Sequence, residues 1–201
     1  MIVLSADQNK IIDAAFKRFA KSGPENTTMA QIAKDLGYSR TFLYYYFPDK
    51  ESIYKAALIQ RSNRYFEGVQ KEMKKKIPAF KKLEGLVKIK IGCGKDFQSL
   101  GVYTNMALFK ILMSDPELTY IFSSELKIVT QIIQQGIKDG SIIKCNASKT
   151  ANNILDGLHG FSAVGLRRLH VDANVNQADV SELYKRQLDF AAFLLQGIKK
   201  G

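Results

Sequence analysis

Within Ser39-Arg40-Thr41-Phe42-Leu43-Tyr44-Tyr45-Tyr46-Phe47, polar and aromatic side chains alternate with apolar ones at helical spacing. Phe42, Leu43 and Phe47 supply the anchors of a short helix, which leaves Arg40, Thr41, Tyr44, Tyr45 and Tyr46 over the rest of its surface. These groups can recognise a polyanion that also presents base edges. A guanidinium such as Arg40 pairs through two prongs with O6 and N7 of guanine, and Thr41 offers a hydroxyl to a base or a methyl to thymine. The tyrosine hydroxyls suit phosphate oxygens, which fix register without carrying sequence information.

Such a helix works only if something holds it, and the preceding residues have the right pattern. Thr28 caps a helix with Gln31 as its capping-box partner, and Met29, Ile32, Ala33 and Leu36 recur at the spacing of one buried face. Gly37 ends that helix and Ser39 starts the next, so two short helices flank a tight turn. This is a helix-turn-helix, whose second helix enters the major groove with its N-terminal residues nearest the bases. A first helix from about Ser5 to Lys21, opened by a Ser5-x-x-Gln8 box, buries Ile12, Ala15, Phe16 and Phe19 and stops at Gly23-Pro24. Pro48 closes the reading helix. Asp49 caps the long one that follows, and its N-terminus together with Lys50 forms an expected phosphate site. The expected DNA contacts are therefore Thr28, Ser39, Arg40, Thr41, Tyr44, Tyr45, Tyr46 and Lys50.

These residues resemble the TetR (tetracycline-repressor-like) family of bacterial transcriptional regulators. The resemblance rests on Thr28-Met29 with Ile32-Ala33, then Gly37-Tyr38-Ser39, Leu43-Tyr44, Tyr46-Phe47, and Lys50 with Ile53. It is detailed over roughly residues 5 to 55 and continues beyond them only as a helical pattern. Tyr46 stands where many members carry histidine, and Phe42 where smaller residues are frequent. The resemblance implies an effector pocket among the middle helices and a dimer formed by the two C-terminal helices about a two-fold axis.

The formal charge is +11. Its excess does not lie in the reading motif: residues 1–55 hold 8 basic and 6 acidic residues, residues 56–90 hold 10 and 3, and residues 91–201 hold 12 and 10. Lys71, Lys74, Lys75, Lys76, Lys81 and Lys82 dominate the middle segment. If one helix runs from Lys50 to about Lys76, its far end lies roughly 35 to 40 Å from Lys50, too far for contact with the same DNA. With a Debye length of about 10 Å at 0.1 M salt, they are read as a solvated face that steers approach only at low ionic strength.

Beyond Pro78 the apolar residues are dense and lack period-two alternation, so the remaining segments read as helices. Asp115-Pro116 caps a helix running to about Asp139 and ending at Gly140. Another spans about Ala147 to Leu169, and the last about Asn176 to Ile198. Catalysis has no support: His159 and His170 stand far in sequence from any nucleophile, and Gly92-Cys93-Gly94-Lys95 lacks the spacing of a phosphate loop. Cys93 and Cys145 are too few and too isolated for a metal site, and no cofactor is expected. No apolar run has the length of a membrane span and Met1-Ile2-Val3-Leu4 lacks the features of a signal peptide, so a cytoplasmic protein is expected.

The expected architecture is all-α, with a helix-turn-helix head over residues 1–48 and a larger ligand-binding and dimerisation body over residues 49–201. Candidate effector-lining residues are Phe97, Tyr103, Met106, Phe109, Lys110, Met113, Phe122 and Phe161, whose soft or aromatic surfaces suit an aromatic or lipophilic small molecule. The absence of tryptophan and the scarcity of buried-looking charge point the same way. The candidate dimer residues are Leu158, Leu166, Leu183, Tyr184, Leu188, Ala191 and Leu195. The expected function is a homodimeric repressor released from double-stranded operator DNA by an effector. The alternatives are a ligand-binding helical dimer without operator recognition and a constitutive regulator without an effector.

Overall fold

The computed structural model describes residues 4–102, 114–171 and 177–201. Their regular structure is helical: α1 (Ala6–Ser22), α2 (Met29–Leu36), α3 (Arg40–Tyr46), α4 (Lys50–Met73), α5 (Ala79–Ser99), α6 (Pro116–Asp139), α7 (Ala147–Val171) and α8 (Gln177–Gln196). No strand occurs among the described residues, and the one isolated bridge pairs Ile142 with Lys199. The chain divides into two compact units, Met1–Arg64 with Lys95–Val102, and Tyr65–Gly94 with Tyr103–Gly201. The N-terminal unit thus extends past residue 48 and takes in a second, distant piece of chain.

In the N-terminal unit the helix starts follow from local chemistry. The Ser5 hydroxyl accepts from the Gln8 amide while the Gln8 side chain accepts from the Ser5 amide, at 3.1 and 2.9 Å. Thr28 and Gln31 repeat this reciprocal box at the start of α2. Gly37, at φ 68 and ψ 23, takes the left-handed conformation that lets the chain turn between α2 and α3. Ile11, Ile12, Ala15, Phe19, Ile32, Leu43 and Ile53 form the core beneath the motif.

Three polar contacts join segments far apart in sequence. Arg18 donates through Nε and Nη2 to the Asp35 carboxylate at 2.5 Å each, tying α1 to α2. Those hydrogen bonds from Arg18 hold the Asp35 carboxyl below the usual carboxylate range. Arg61 of α4, only 6% exposed, donates to Asp13 at 3.1 Å, lies 3.8 Å from Asp96, and covers the Phe16 ring at 4.0 Å. The buried Tyr54 phenol donates to the Leu100 carbonyl at 2.7 Å. Through Asp96 and Leu100, residues 95–102 become part of this unit.

The C-terminal unit has its own core, in which Leu83 and Leu86 of α5 meet Val129, Ile132 and Ile133 of α6, Leu155 and Leu158 of α7, and Ala191 and Leu195 of α8. The α6 start is as its sequence reads: Asp115 accepts from the amides of Glu117 and Leu118 at 2.9 and 3.2 Å, with Pro116 in the first turn. Gly140 closes the helix at φ 77. α7 and α8 pack closely where glycine permits it, since a Cβ on Gly165 would collide with the Leu183 side chain and one on Gly157 would lie 3.3 Å from Leu194 Cδ1. α5 runs unbroken through Gly92-Cys93-Gly94-Lys95.

Candidate nucleic-acid interface

α3 is seven residues long and its side chains fall into stripes of i, i+4 spacing. Leu43 and Phe47 face the core at 0% and 6% exposure. Tyr38, Phe42 and Tyr46 form a half-buried aromatic seam, with edge-to-face contacts at 4.5 and 5.1 Å between ring centres. The remaining surface carries Arg40 and Thr41, both exposed, with Tyr44 at 51% and Tyr45 at 82% exposure. A helix anchored on one side with its groups held out on the other is what insertion into a groove requires.

The other expected contacts have partners within the protein. The Ser39 hydroxyl accepts from the Phe42 amide at 3.1 Å and the Thr28 hydroxyl from the Gln31 amide at 3.3 Å, so each caps a helix while staying at the surface. Tyr46 donates its phenol hydrogen to Asp7 at 3.2 Å, fastening α3 to the first turn of α1, and burial and then the Asp7 charge push its pKa up. Lys50 donates to the Pro24 carbonyl at 2.7 Å and lies 3.4 Å from that of Glu25, so its ammonium closes the α1–α2 connection. Asp49 caps α4 by accepting from the amide and hydroxyl of Ser52. The place of Tyr38 in the seam and the Arg18–Asp35 pair were not read from the sequence; the first could have been, because Tyr38 stands four residues before Phe42.

Residues 11–57, spanning α1 to the first part of α4, match the model of bacterial regulatory proteins of the tetR family. Over these residues the chain is similar to the tetR family. The proteins it matches are regulators. The fatty acid metabolism regulator protein of Bacillus subtilis (strain 168) is 26% identical over 134 residues, covering 66% of this chain and 69% of that protein. The transcriptional regulator RutR of Escherichia coli (strain K12) is 44% identical over 57 residues, covering 28% of this chain and 27% of RutR. A transcriptional regulator from Cytophaga hutchinsonii has a solved structure matching with a TM-score of 0.78 at 29% identity, covering 98% of this chain and 100% of that one.

The body rearranges the remaining expectations. Tyr103, Met106, Phe109, Lys110, Met113 and the Phe122 side chain lie outside the described residues. Phe97, expected in the body, belongs to the N-terminal unit. Phe161 stacks on Phe190 at 5.1 Å, closing a seam between α7 and α8. Of the residues expected at a dimer contact, Leu158, Leu166, Leu183, Tyr184, Ala191 and Leu195 are all buried inside the single chain, and only Leu188 is exposed, at 40%. Their stripe packs the C-terminal unit itself. Among the described residues of these two helices, Val164 on α7, at 52%, and Phe193 on α8, at 76%, are the more exposed apolar groups.

The body also holds buried charge, which removes one of the reasons for expecting a lipophilic effector. Glu125, 5% exposed, accepts from Lys90 at 2.7 and 2.8 Å and from the Tyr65 phenol at 2.6 Å. Burial pulls the Glu125 carboxyl upward, but Lys90 and the Tyr65 hydrogen bond outweigh it and hold the pKa below the ordinary value. His159 is electrostatically coupled to both charges, and burial, reinforced by Lys90 and opposed by Glu125, lowers its pKa from 6.5 to about 4. A histidine depressed in the folded state adds stability that is complete above pH 6.5 and withdrawn as pH falls toward 4. About 3 kcal/mol rides on that window, at roughly 1.4 kcal/mol per unit. Urea unfolding should therefore weaken between pH 7.5 and 4.5 in the parent and much less in His159→Gln; equal slopes would show that other groups carry the loss.

Proposed function

We propose that the chain is a homodimeric, cytoplasmic repressor whose two reading heads bind a palindromic operator and whose body releases them when it binds a small molecule. The observation that carries this reading is the division of α3, where Arg40, Thr41, Tyr44 and Tyr45 are held outward by a core face of Leu43 and Phe47. Arg40 and Thr41 read base edges; Tyr44 and Tyr45 bind phosphate. Ser39 and Thr28 position the helices they cap, with exposed hydroxyls still able to reach phosphate. Tyr46 aligns α3 through Asp7. Lys50 uses its ammonium to hold the α1–α2 connection and has a further N–H to offer a phosphate, since an ammonium carries three donors. A compact head seated in the major groove excludes other proteins from the same DNA, which supports repression as the sign of control.

The dimer face follows from what the chain leaves uncovered. Gly160 on α7 meets nothing within 4 Å of a would-be Cβ, so no contact among the described residues requires a glycine there. Val164 follows Gly160 by one turn on α7, and on α8 Phe193 stands three residues after Phe190, which stacks on Phe161 of α7. Leu188 stands five residues before Phe193, about 140° around α8 at 3.6 residues per turn, and so lies on the other flank. We place the two-fold contact on the Gly160, Val164 and Phe193 side, with the reading helices meeting half-sites about 34 to 36 Å apart or a multiple of it. The effector pocket belongs to the body, and an apolar or aromatic effector suits the aromatic candidates; the matched Lys90–Glu125 pair needs no ligand charge. A ligand that prefers the arrangement incompetent for DNA shifts the population away from the operator-bound form.

Arg40→Ala tests the reading role. Loss of a bidentate base contact should weaken operator binding by about 1 to 3 kcal/mol while changing affinity for random DNA far less. Equal weakening on both DNAs in a mobility-shift titration would make Arg40 a phosphate contact. Absence of any sequence preference in the parent protein would instead favour a ligand-binding dimer without operator recognition.

A further inference from the structure

Folding gathers more positive charge at one end of the C-terminal unit than the sequence displays in any one run. Three connections meet there. The α4–α5 turn joins the α6–α7 turn because the Ala79 amide donates to Asp139 at 2.9 Å and the Phe80 amide to the Ser141 hydroxyl at 3.1 Å. The segment after α8 joins them through the Ile142–Lys199 bridge and through hydrogen bonds from Ile143 N to Ile198 O at 3.0 Å and Lys200 N to Ser141 O at 3.2 Å. The first connection presents Lys74, Lys75 and Lys76, the second is flanked by Lys138 and Lys144, and the third ends in Lys199 and Lys200, all exposed.

The acidic groups at this end are already engaged. Glu72 is buried and paired with Lys75 at 2.5 Å, Glu84 is paired with Lys81 at 2.7 Å, and Asp139 accepts from Ala79 and Ser141. Lys74, Lys76, Lys144 and Lys200 have no acidic partner among the described residues. Helix-dipole complementation accounts for Lys138 in the last turn of α6 but not for the lysines of the connections. Two large apolar side chains are exposed in the same connections, Ile77 at 38% and Ile143 at 39%. The basic groups here are lysines, whereas the arginines of the chain lie elsewhere in the sequence.

We propose that this end of the body is a reversible docking surface for an anionic lipid bilayer. Lysines ringing exposed aliphatic side chains provide two signals at once, attraction to acidic headgroups and shallow insertion of the isoleucines, and stable peripheral attachment takes two. A nucleic acid would draw on the lysines but gain nothing from Ile77 and Ile143, and bidentate phosphate recognition favours arginine. Attachment is peripheral: no helix among the described residues is long and apolar enough to cross a membrane. The inference stands independently of operator recognition, because it uses none of the reading head.

The test is co-sedimentation of the purified full chain with vesicles of phosphatidylcholine alone and with phosphatidylglycerol added, in low and 0.15 M salt. Binding should need the anionic lipid. Each of Lys74→Gln, Lys76→Gln, Lys144→Gln and Lys200→Gln should reduce partitioning about five-fold at low salt. Ile77→Ser with Ile143→Ser should reduce it by about ten-fold or more, with helical content and the urea unfolding midpoint unchanged as the readout of correct folding. Loss of random-DNA binding in the lysine variants, with the isoleucine pair indifferent, would replace the bilayer by a second nucleic-acid surface. Equal binding to both vesicle types, or none to either, would overturn the proposal and leave a solvated face.

Discussion

Lys90→Met should destabilise the C-terminal unit by about 3 to 5 kcal/mol, and Lys90→Met with Glu125→Leu should recover most of that loss. Removing the ammonium leaves Glu125 buried with the Tyr65 phenol and the coupling to His159 to offset its charge, whereas the double variant removes the buried carboxylate itself. The sign of the pH dependence separates this from lost packing. In the parent, Glu125 titrates below its ordinary value, so its contribution is present above about 4.5 and is lost as pH falls through the lowered value. In Lys90→Met the carboxyl, buried without its cation, shifts above that value, so the deficit grows as pH rises and shrinks toward pH 4.5. Chemical unfolding at pH 5 and pH 8 reads both. Single and double variants of equal stability, with no pH dependence in their difference, would assign the loss to the missing lysine stem.

Phe193→Glu should convert the protein to monomers that keep their helical content and bind operator about 10²- to 10⁴-fold more weakly, the usual worth of linking two binding modules. Leu188→Glu, on the opposite flank of α8, should sediment as a dimer and keep operator affinity. The pair makes the test specific to one face, since both residues are exposed and both variants add the same charge. Dimers persisting in Phe193→Glu, or dissociating in Leu188→Glu, would move the interface to the Leu188 side. Leu195→Ala serves as a control for the core, where truncating a buried leucine costs about 2 to 5 kcal/mol without selectively changing association.

What was readable in the sequence and what was not divides by range. Caps and stops are decided within three or four residues, so Ser5 with Gln8, Thr28 with Gln31, Gly37, Asp115-Pro116 and Gly140 all announce themselves. The polar ties that fix the units act between residues far apart in the chain: Arg18 with Asp35, Arg61 with Asp13, Lys90 and Tyr65 with Glu125. No local pattern distinguishes those charges from solvated ones. The α8 stripe shows the related ambiguity, because an apolar face reads alike whether it meets its own chain or a second copy. Leu183, Tyr184, Ala191 and Leu195 meet their own chain. The reading helix was legible in outline, yet Tyr46 and Lys50 look like surface contacts until Asp7 and the Pro24 carbonyl are seen beside them.

The N-terminal unit is assembled from two pieces of gene. Arg61 spans Asp13 and Asp96, and Tyr54 reaches Leu100, so α4 is secured partly by residues encoded some thirty codons after the unit's first piece ends at Arg64. A crossover placed after the reading motif, or even after Arg64, therefore transplants a head without Asp96 and the Leu100 carbonyl. The buried Arg61 would keep one of its two carboxylates, and the Tyr54 phenol would lose its acceptor, a defect worth about 1 to 3 kcal/mol for a buried polar group. A single crossover preserves this head only if it falls after Val102, so its reading specificity is inherited together with α5.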